Sequence, residues 1–137
     1  MTEDRAVGFG PLEGSSTALL TTFRPGGEAV GTPLCVALAR DRAYFVTPTD
    51  SGKARRLAHT ARVTLAPCKL NGTVTGEAVN GRARRLTGQE RRDASRGLLR
   101  PTRPLFWSLV VYRLQGRAMD LFEVVPEAPD GPVTSRG

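Results

Sequence analysis

The apolar positions of this chain fall in short runs separated by turn residues, the pattern of a β protein. A first strand is predicted over Thr17–Phe23, rich in Leu and Thr, followed by a turn at Arg24-Pro25-Gly26-Gly27. A second strand is predicted over Ala29–Ala39, a tight turn at Arg40-Asp41, and a third strand over Arg42–Thr47. Spacing this close favours an antiparallel meander. Further strands are expected over Arg62–Pro67, from Thr73 to about Leu86 after an Asn71-Gly72 turn, and over Met119–Val125.

Helical segments are expected in three places. After Ser51, Ala54, Leu57 and Ala58 share one face, while Lys53, Arg56 and His59 lie on another. Thr87–Arg100 reads as a helix with Thr87 at the N-cap and Glu90 in the capping-box position; Pro101 and Pro104 end it. Leu105–Leu114 reads as a further helix, although its Val-Val-Tyr content also suits a strand. Many short antiparallel strands with few helices predict a mainly-β fold, a small barrel. On this reading residues 1–14 are irregular, residues 15–126 form one domain and residues 127–137 are a loose tail rich in Pro and Gly. Pro33 has no N–H to give to a ladder. It belongs at an edge, or where the sheet opens and leaves backbone groups free for a ligand.

The length of 137 residues fits one domain with a real core. No apolar run approaches the roughly 20 residues that span a bilayer. The N-terminus carries Glu3 and Asp4 and does not read as a secretion signal, so no membrane association and a cytoplasmic location are expected. Cys35, Cys68 and the single histidine, His59, have no metal-ligand spacing, and no metal is expected. Both cysteines are expected to be reduced and at least partly buried, with a Cys–His catalytic pair the lesser reading.

Charge gives the strongest functional signal. The formal net charge is +7, which favours anionic partners. Between Ser51 and Gly76 there is no Asp or Glu, while Lys53, Arg55, Arg56, Arg62 and Lys69 all fall there. A second basic block, Arg82–Arg103, has Glu90 and Asp93 mixed in and reads as a solvated helix face. The stretch Thr47–Arg56 joins a strand to a helix that Ser51 can cap. Its helix-start N–H groups lack intrahelical partners and carry partial positive charge. With Lys53, Arg55 and Arg56 beside them, they make a site for a phosphate or carboxylate. The basic segments lack the interleaved aromatics of single-strand binders, so nucleic acid is not the expected partner.

Several segments, in order and at consistent spacing, carry a resemblance: Ala18–Arg24, Gly31–Leu34, Ser51–Leu57, Arg62–Cys68, Gly76-Glu77 and Gly81–Ala83. Together they resemble the pyridoxamine 5'-phosphate oxidase-like split β-barrel superfamily, and within it the flavin/deazaflavin oxidoreductases that use coenzyme F420. The resemblance implies an FMN-binding-like antiparallel Greek-key split barrel. It also implies a homodimer with cofactor clefts at the subunit interface. By the same resemblance, Thr32 and Pro33 run alongside the ring system, and Val46, Thr47 and Thr49 line the cleft with Ser51 at its helix end. Lys53, Arg55 and Arg56 grip the phosphate or tail, and Ala66, Pro67 and Cys68 border the ring. Relatives often carry a large aromatic where this chain has Cys35, which widens the pocket or removes a stacking surface. The function implied is hydride transfer from coenzyme F420, or alternatively FMN chemistry, to a small organic acceptor. The alternatives are a non-catalytic binder of FMN, F420 or a tetrapyrrole, and an FMN-dependent oxidase-like enzyme. No catalytic residue is assigned; water or Tyr44 is the suggested proton source. Trp107 and Tyr112 read as ordinary core aromatics, with a place on the substrate side or at the dimer contact the lesser reading.

Overall fold

The computed structural model describes residues 9–12, 16–39, 41–98 and 104–127. Among these described residues seven strands occur in chain order: β1 Thr17–Phe23, β2 Ala29–Cys35, β3 Ala37–Ala39, β4 Arg42–Pro48, β5 Arg62–Pro67, β6 Val79–Leu86 and β7 Met119–Pro126. Among the same residues three α-helices join them: α1 Gly52–His59, α2 Gly88–Leu98 and α3 Pro104–Leu114. All pairings are antiparallel and the spatial order is β2-β1-β5-β6-β7-β4-β3. β4 precedes β5 in the chain but lies beside β7, a Greek-key crossing. The protein is mostly β, a curled antiparallel sheet in the manner of a split barrel, as the strand pattern predicts.

The meander does not form. The single strand expected over Ala29–Ala39 breaks at Val36 into β2 and β3, which lie at opposite ends of the sheet. A sheet of seven twisted strands curls until its ends approach. One stretch of chain then serves both ends. Leu34 still pairs with Ala18, whereas Ala37 pairs with Tyr44. Val36 is the buried pivot, and its N–H donates to the Ser16 carbonyl at 3.0 Å. The turns at both hairpins follow the sequence. Gly27 (φ 98°) and Asp41 (φ 63°) take the left-handed conformation, which glycine and aspartate adopt at low cost.

The strand expected from Thr73 is also shorter. Ladder pairing begins only at Val79, and before it only an isolated bridge joins Cys68 to Val74. Pro67 ends β5 and supplies no N–H to a neighbour. The chain opposite bends away around Gly76, where a Cβ would lie 2.7 Å from the Pro67 ring.

The core has two parts. The barrel interior holds Leu20, Phe45, Val63, Leu65, Phe122 and Val124, joined by Phe9 and Leu12 from around a 3₁₀ turn at Gly10–Leu12. Part of the segment read as irregular therefore helps to fill the barrel. Phe45 and Phe122 are register partners with stacked rings 5.2 Å apart. The next residues along β4 and β7 face the other way. Val46, Leu121 and Met119 pack with Leu98 of α2 and Leu105 of α3. Both faces of β7 are thus covered, so the strand reads Met-Asp-Leu-Phe-Glu-Val rather than a clean alternation. Residues 128–137 of the expected tail lie outside the described residues.

Candidate functional site

α1 begins where the sequence places it. Ser51 is its N-cap, in extended conformation, with its hydroxyl accepting from the Ala54 N–H at 3.1 Å. That hydroxyl also shares a hydrogen bond with buried Thr47 Oγ1 at 2.9 Å. The cap is thereby tied to β4, and the direction of the helix follows from the strand. Leu57 packs against the barrel core. Ala58, expected on the same face, is exposed.

The three cations of α1 have different surroundings. Arg56 turns back over the helix start, and its Nε donates to Thr22 Oγ1 on β1 at 2.6 Å. A Cβ on Gly52 would lie 2.9 Å from Arg56 Nη1, so this glycine leaves room for the guanidinium at the helix N-terminus. Arg55 instead donates to the Asp50 carbonyl at 2.8 Å and stays exposed. Lys53 is half-buried and makes no hydrogen bond or ion pair with the described residues. Burial lowers its ammonium pKa from the ordinary lysine value, with repulsion from Arg56 and Arg117 adding to the effect. Burial likewise lowers Arg56, followed by repulsion from Arg24 and Arg55. Arg24, Lys53, Arg55, Arg56 and Arg117 therefore form a field of like charges. Its visible counter-charge is Asp50, which pairs with Arg117 at 3.2 Å.

Beside this field lies a cavity of about 220 Å³, lined by Thr17, Pro33, Leu34, Cys35, Val46, Leu70 and Tyr112. Pro33 is on edge strand β2, opposite Leu19, so its missing N–H breaks no inner ladder. Tyr112 and Arg117 connect cavity and cations. The Arg117 guanidinium lies 5.8 Å from the Tyr112 ring, and the Arg117 backbone N–H donates to the Tyr112 carbonyl at 3.2 Å. The same arginine acts electrostatically on Lys53.

Of the residues named from sequence, Pro33 and Val46 line this cavity. Thr32 neighbours Pro33 and pairs with Leu20. Thr47 and Ser51 build the helix start, and the Thr49 N–H donates to the Ala118 carbonyl at 2.9 Å, holding the loop that carries Arg117. Ala66, Pro67 and Cys68 are buried beside β1, where the Cys68 N–H reaches the Thr17 carbonyl. They are not among the lining residues of the cavity. Both cysteines are free thiols. Burial pushes the Cys68 thiol up, away from the thiolate that nucleophilic chemistry requires.

A larger cavity of about 580 Å³ lies under α2, lined in part by Tyr44, Arg84, Glu90, Asp93 and Glu123. Its charges satisfy one another. Glu123 accepts from Tyr44 at 3.0 Å, Arg42 at 3.2 Å and Arg84 at 2.9 Å. Arg84 also grips Glu90 through two bonds of 2.8 and 3.1 Å, which lowers the Glu90 carboxyl. Glu90 is thereby committed to Arg84 rather than to the capping box. Tyr44, suggested as a proton source, lines this cavity and not the one at Pro33. Trp107 is not a core aromatic: it is 56% exposed on α3.

Leu70 and Arg117 were not singled out from sequence, and Tyr112 was read first as core, with the substrate side or the dimer contact as the lesser reading; it lines the cavity. Their contributions come from long-range packing, and only the basic, aromatic character of Tyr112–Arg117 hinted at them. No described helix is long and apolar enough to cross a membrane.

Comparison with known proteins places this architecture. Three solved structures with the same fold are an F420 reductase, an FAD-binding protein from Mesorhizobium loti and HutZ, a haem storage protein from Vibrio cholerae. The F420 reductase is 18% identical, with a TM-score of 0.57 over 88% of this chain and 94% of its own. The FAD-binding protein is 15% identical, with a TM-score of 0.61 over 85% and 83%. HutZ is 13% identical, with a TM-score of 0.59 over 84% of each chain. No curated protein matches the chain in sequence. Residues 6–103 match the family described as pyridoxamine 5'-phosphate oxidase, and the chain belongs to that family.

Proposed function

We propose that this protein binds coenzyme F420, or alternatively FMN, and serves as an oxidoreductase that passes a hydride to a small organic acceptor. One observation carries the reading. A half-buried Lys53 with no partner among the described residues and an inward-turned Arg56 stand at a capped helix start, beside an apolar cavity at Pro33, Val46 and Tyr112. A phosphate-bearing tail fits the first feature and a planar ring fits the second. The F420 reductase among the structures with this fold agrees with the reading.

The residues fit such a group in charge but not, within one protomer, in volume. Ligand sites commonly measure about 300–1,000 Å³, and the cavity is about 220 Å³. Exposed apolar side chains lie nearby in chain and space: Leu70 at its rim, and Trp107, Val111 and Leu114 along α3. A second copy seated there would enlarge the cavity and cover those side chains. The proposal therefore includes a homodimer with the site at its interface.

A bound deazaflavin or flavin supplies the hydride chemistry itself. The chain supplies position and charge. Ser51 and Thr47 fix the helix start, Lys53 and Arg56 neutralise a negative tail, and Thr22 orients the Arg56 guanidinium. Holding one reactant in a fixed groove converts an encounter into a positioned step.

Binding without turnover is the second reading. It is favoured by the apolar lining of the cavity, which includes no acid–base pair. The discriminating experiment titrates the protein with F420 and FMN by fluorescence. It then follows oxidation of the reduced coenzyme in the presence of a panel of conjugated acceptors. Saturable binding with oxidation supports the enzyme; binding without oxidation favours the carrier; failure to bind either ligand rejects both.

A further inference from the structure

A third concavity, of about 290 Å³, lies between α2, α3 and the start of β7. Arg91, Arg113 and Arg117 line it, together with Leu109, Ala118 and Met119. Three guanidiniums around one small cavity repel one another unless something negative stands between them.

The acids in reach are committed elsewhere: Asp120, next to Met119 on β7, is buried and faces Arg85 at 3.6 Å. On α2, Glu90 holds Arg84 through two hydrogen bonds, and Asp93 accepts from Gln89 at 2.7 Å and Arg96 at 3.1 Å. α3 contains no acidic residue, and neither does the sequence from Leu99 to Arg103 between the helices. Asp50 pairs with Arg117 at 3.2 Å but is itself 81% exposed in its side chain. Arg91 and Arg113 have no ion pair with the described residues. Three cations against one acid leave two positive charges at the cavity.

We propose that this cavity is a binding site for a small organic dianion, a phosphate monoester or a dicarboxylate with a short apolar portion. The two uncompensated charges match a dianion. The planar donors of arginine suit carboxylate and phosphate oxygens in pairs. Buried Met119 and half-buried Leu109, with Ala118 at the edge, give the apolar portion a surface partly shielded from water, which a bare inorganic ion would not use. The volume corresponds to about ten waters, room for a small metabolite and not for a polymer. The site is separate from the groove at Pro33 and does not depend on the identity of the cofactor. Arg117 stands between the two, since it also acts on Lys53.

The chain has two methionines, Met1 and Met119, so Met119 is a local reporter. Full-length protein carrying ¹³C-methyl methionine is titrated with phenyl phosphate, with glutarate and with inorganic phosphate. The expected result is a saturable shift of the Met119 signal, with phenyl phosphate or glutarate acting at a concentration about tenfold lower than inorganic phosphate. R91Q/R113Q should weaken that response by about tenfold or more, while K53A leaves it in place. Arg113 is exposed and Arg91 half-buried, and a circular-dichroism melt matching wild type confirms that the variant is folded; R113K, which keeps the charge but loses the paired planar donors, should respond between wild type and R91Q/R113Q. A Met119 signal that does not move, or moves equally in R91Q/R113Q, overturns the proposal. So does a response lost in K53A and kept in R91Q/R113Q, which would assign the anion to the α1 site.

Discussion

Replacing Lys53 by methionine should move stability and affinity in opposite directions. The side chain is half-buried, has no partner among the described residues, and is repelled by Arg56 and Arg117. Methionine keeps most of the stem and removes the charge. Water screens a half-exposed group, so relief of the repulsion and desolvation is expected to stabilise the fold by only about 0.5–1 kcal/mol. For a chain of this size that raises the melting temperature by roughly 2–5 °C. The loss on the binding side is larger. A charge-assisted hydrogen bond to phosphate contributes about 1.5–3 kcal/mol, so affinity for F420 or FMN should fall by about 10- to 150-fold. Differential scanning calorimetry of the ligand-free protein gives the first quantity, and fluorescence titration the second. A variant that melts lower than wild type would mean that Lys53 has a favourable partner. A variant that melts higher and binds equally well would mean that the cation is not part of the ligand site.

Other consequences follow from the same geometry. The Lys53 pKa lies below 10.5 in the free protein, and a bound anion raises it again. Affinity should therefore fall as pH rises through that lowered value, while the stability of the free protein rises over the interval up to 10.5; in K53R the charge persists and the pH dependence of affinity should flatten. S51A removes the α1 cap and the partner of the buried Thr47 hydroxyl, and should cost about 1–2 kcal/mol in urea unfolding; a loss near zero would show that water replaces both bonds. E123A leaves Tyr44, Arg42 and Arg84 without their shared acceptor across β4, β6 and β7. It should cost about 2–3 kcal/mol by the same measurement, because the two arginines can partly rehydrate; a cost below about 1 kcal/mol would show that the buried carboxylate is not a structural hub.

Much of this architecture is written locally. β1 and β5 have the bounds that Leu, Val and Thr runs give them, and the cap at Ser51 follows from a hydroxyl residue before Gly52. What escapes the sequence depends on closure of the sheet. The break at Val36 is invisible in an unbroken apolar run, because it arises only when β2 and β3 reach opposite ends of the sheet. The truncated start of β6 reflects Pro67 facing Gly76, a contact between segments nine residues apart. At the site, the cation cluster was legible from the acid-free stretch after Ser51. The division of labour within it was not. Arg55 turns to its own helix start, Arg56 to Thr22, and Arg117 arrives from a loop over 60 residues away. Tyr112 was read first as core for the same reason: an aromatic in an apolar helix looks like core until the cavity beside it is seen.

The central claim is that Lys53 and Arg56 receive the negative tail of a ring-bearing cofactor. Equilibrium titration of wild type and K53A/R56A with F420 and with FMN tests it most directly. Wild type should bind at least one of them saturably, and the double variant should lose about 100-fold or more of that affinity. Equal affinity in the two proteins would contradict the account.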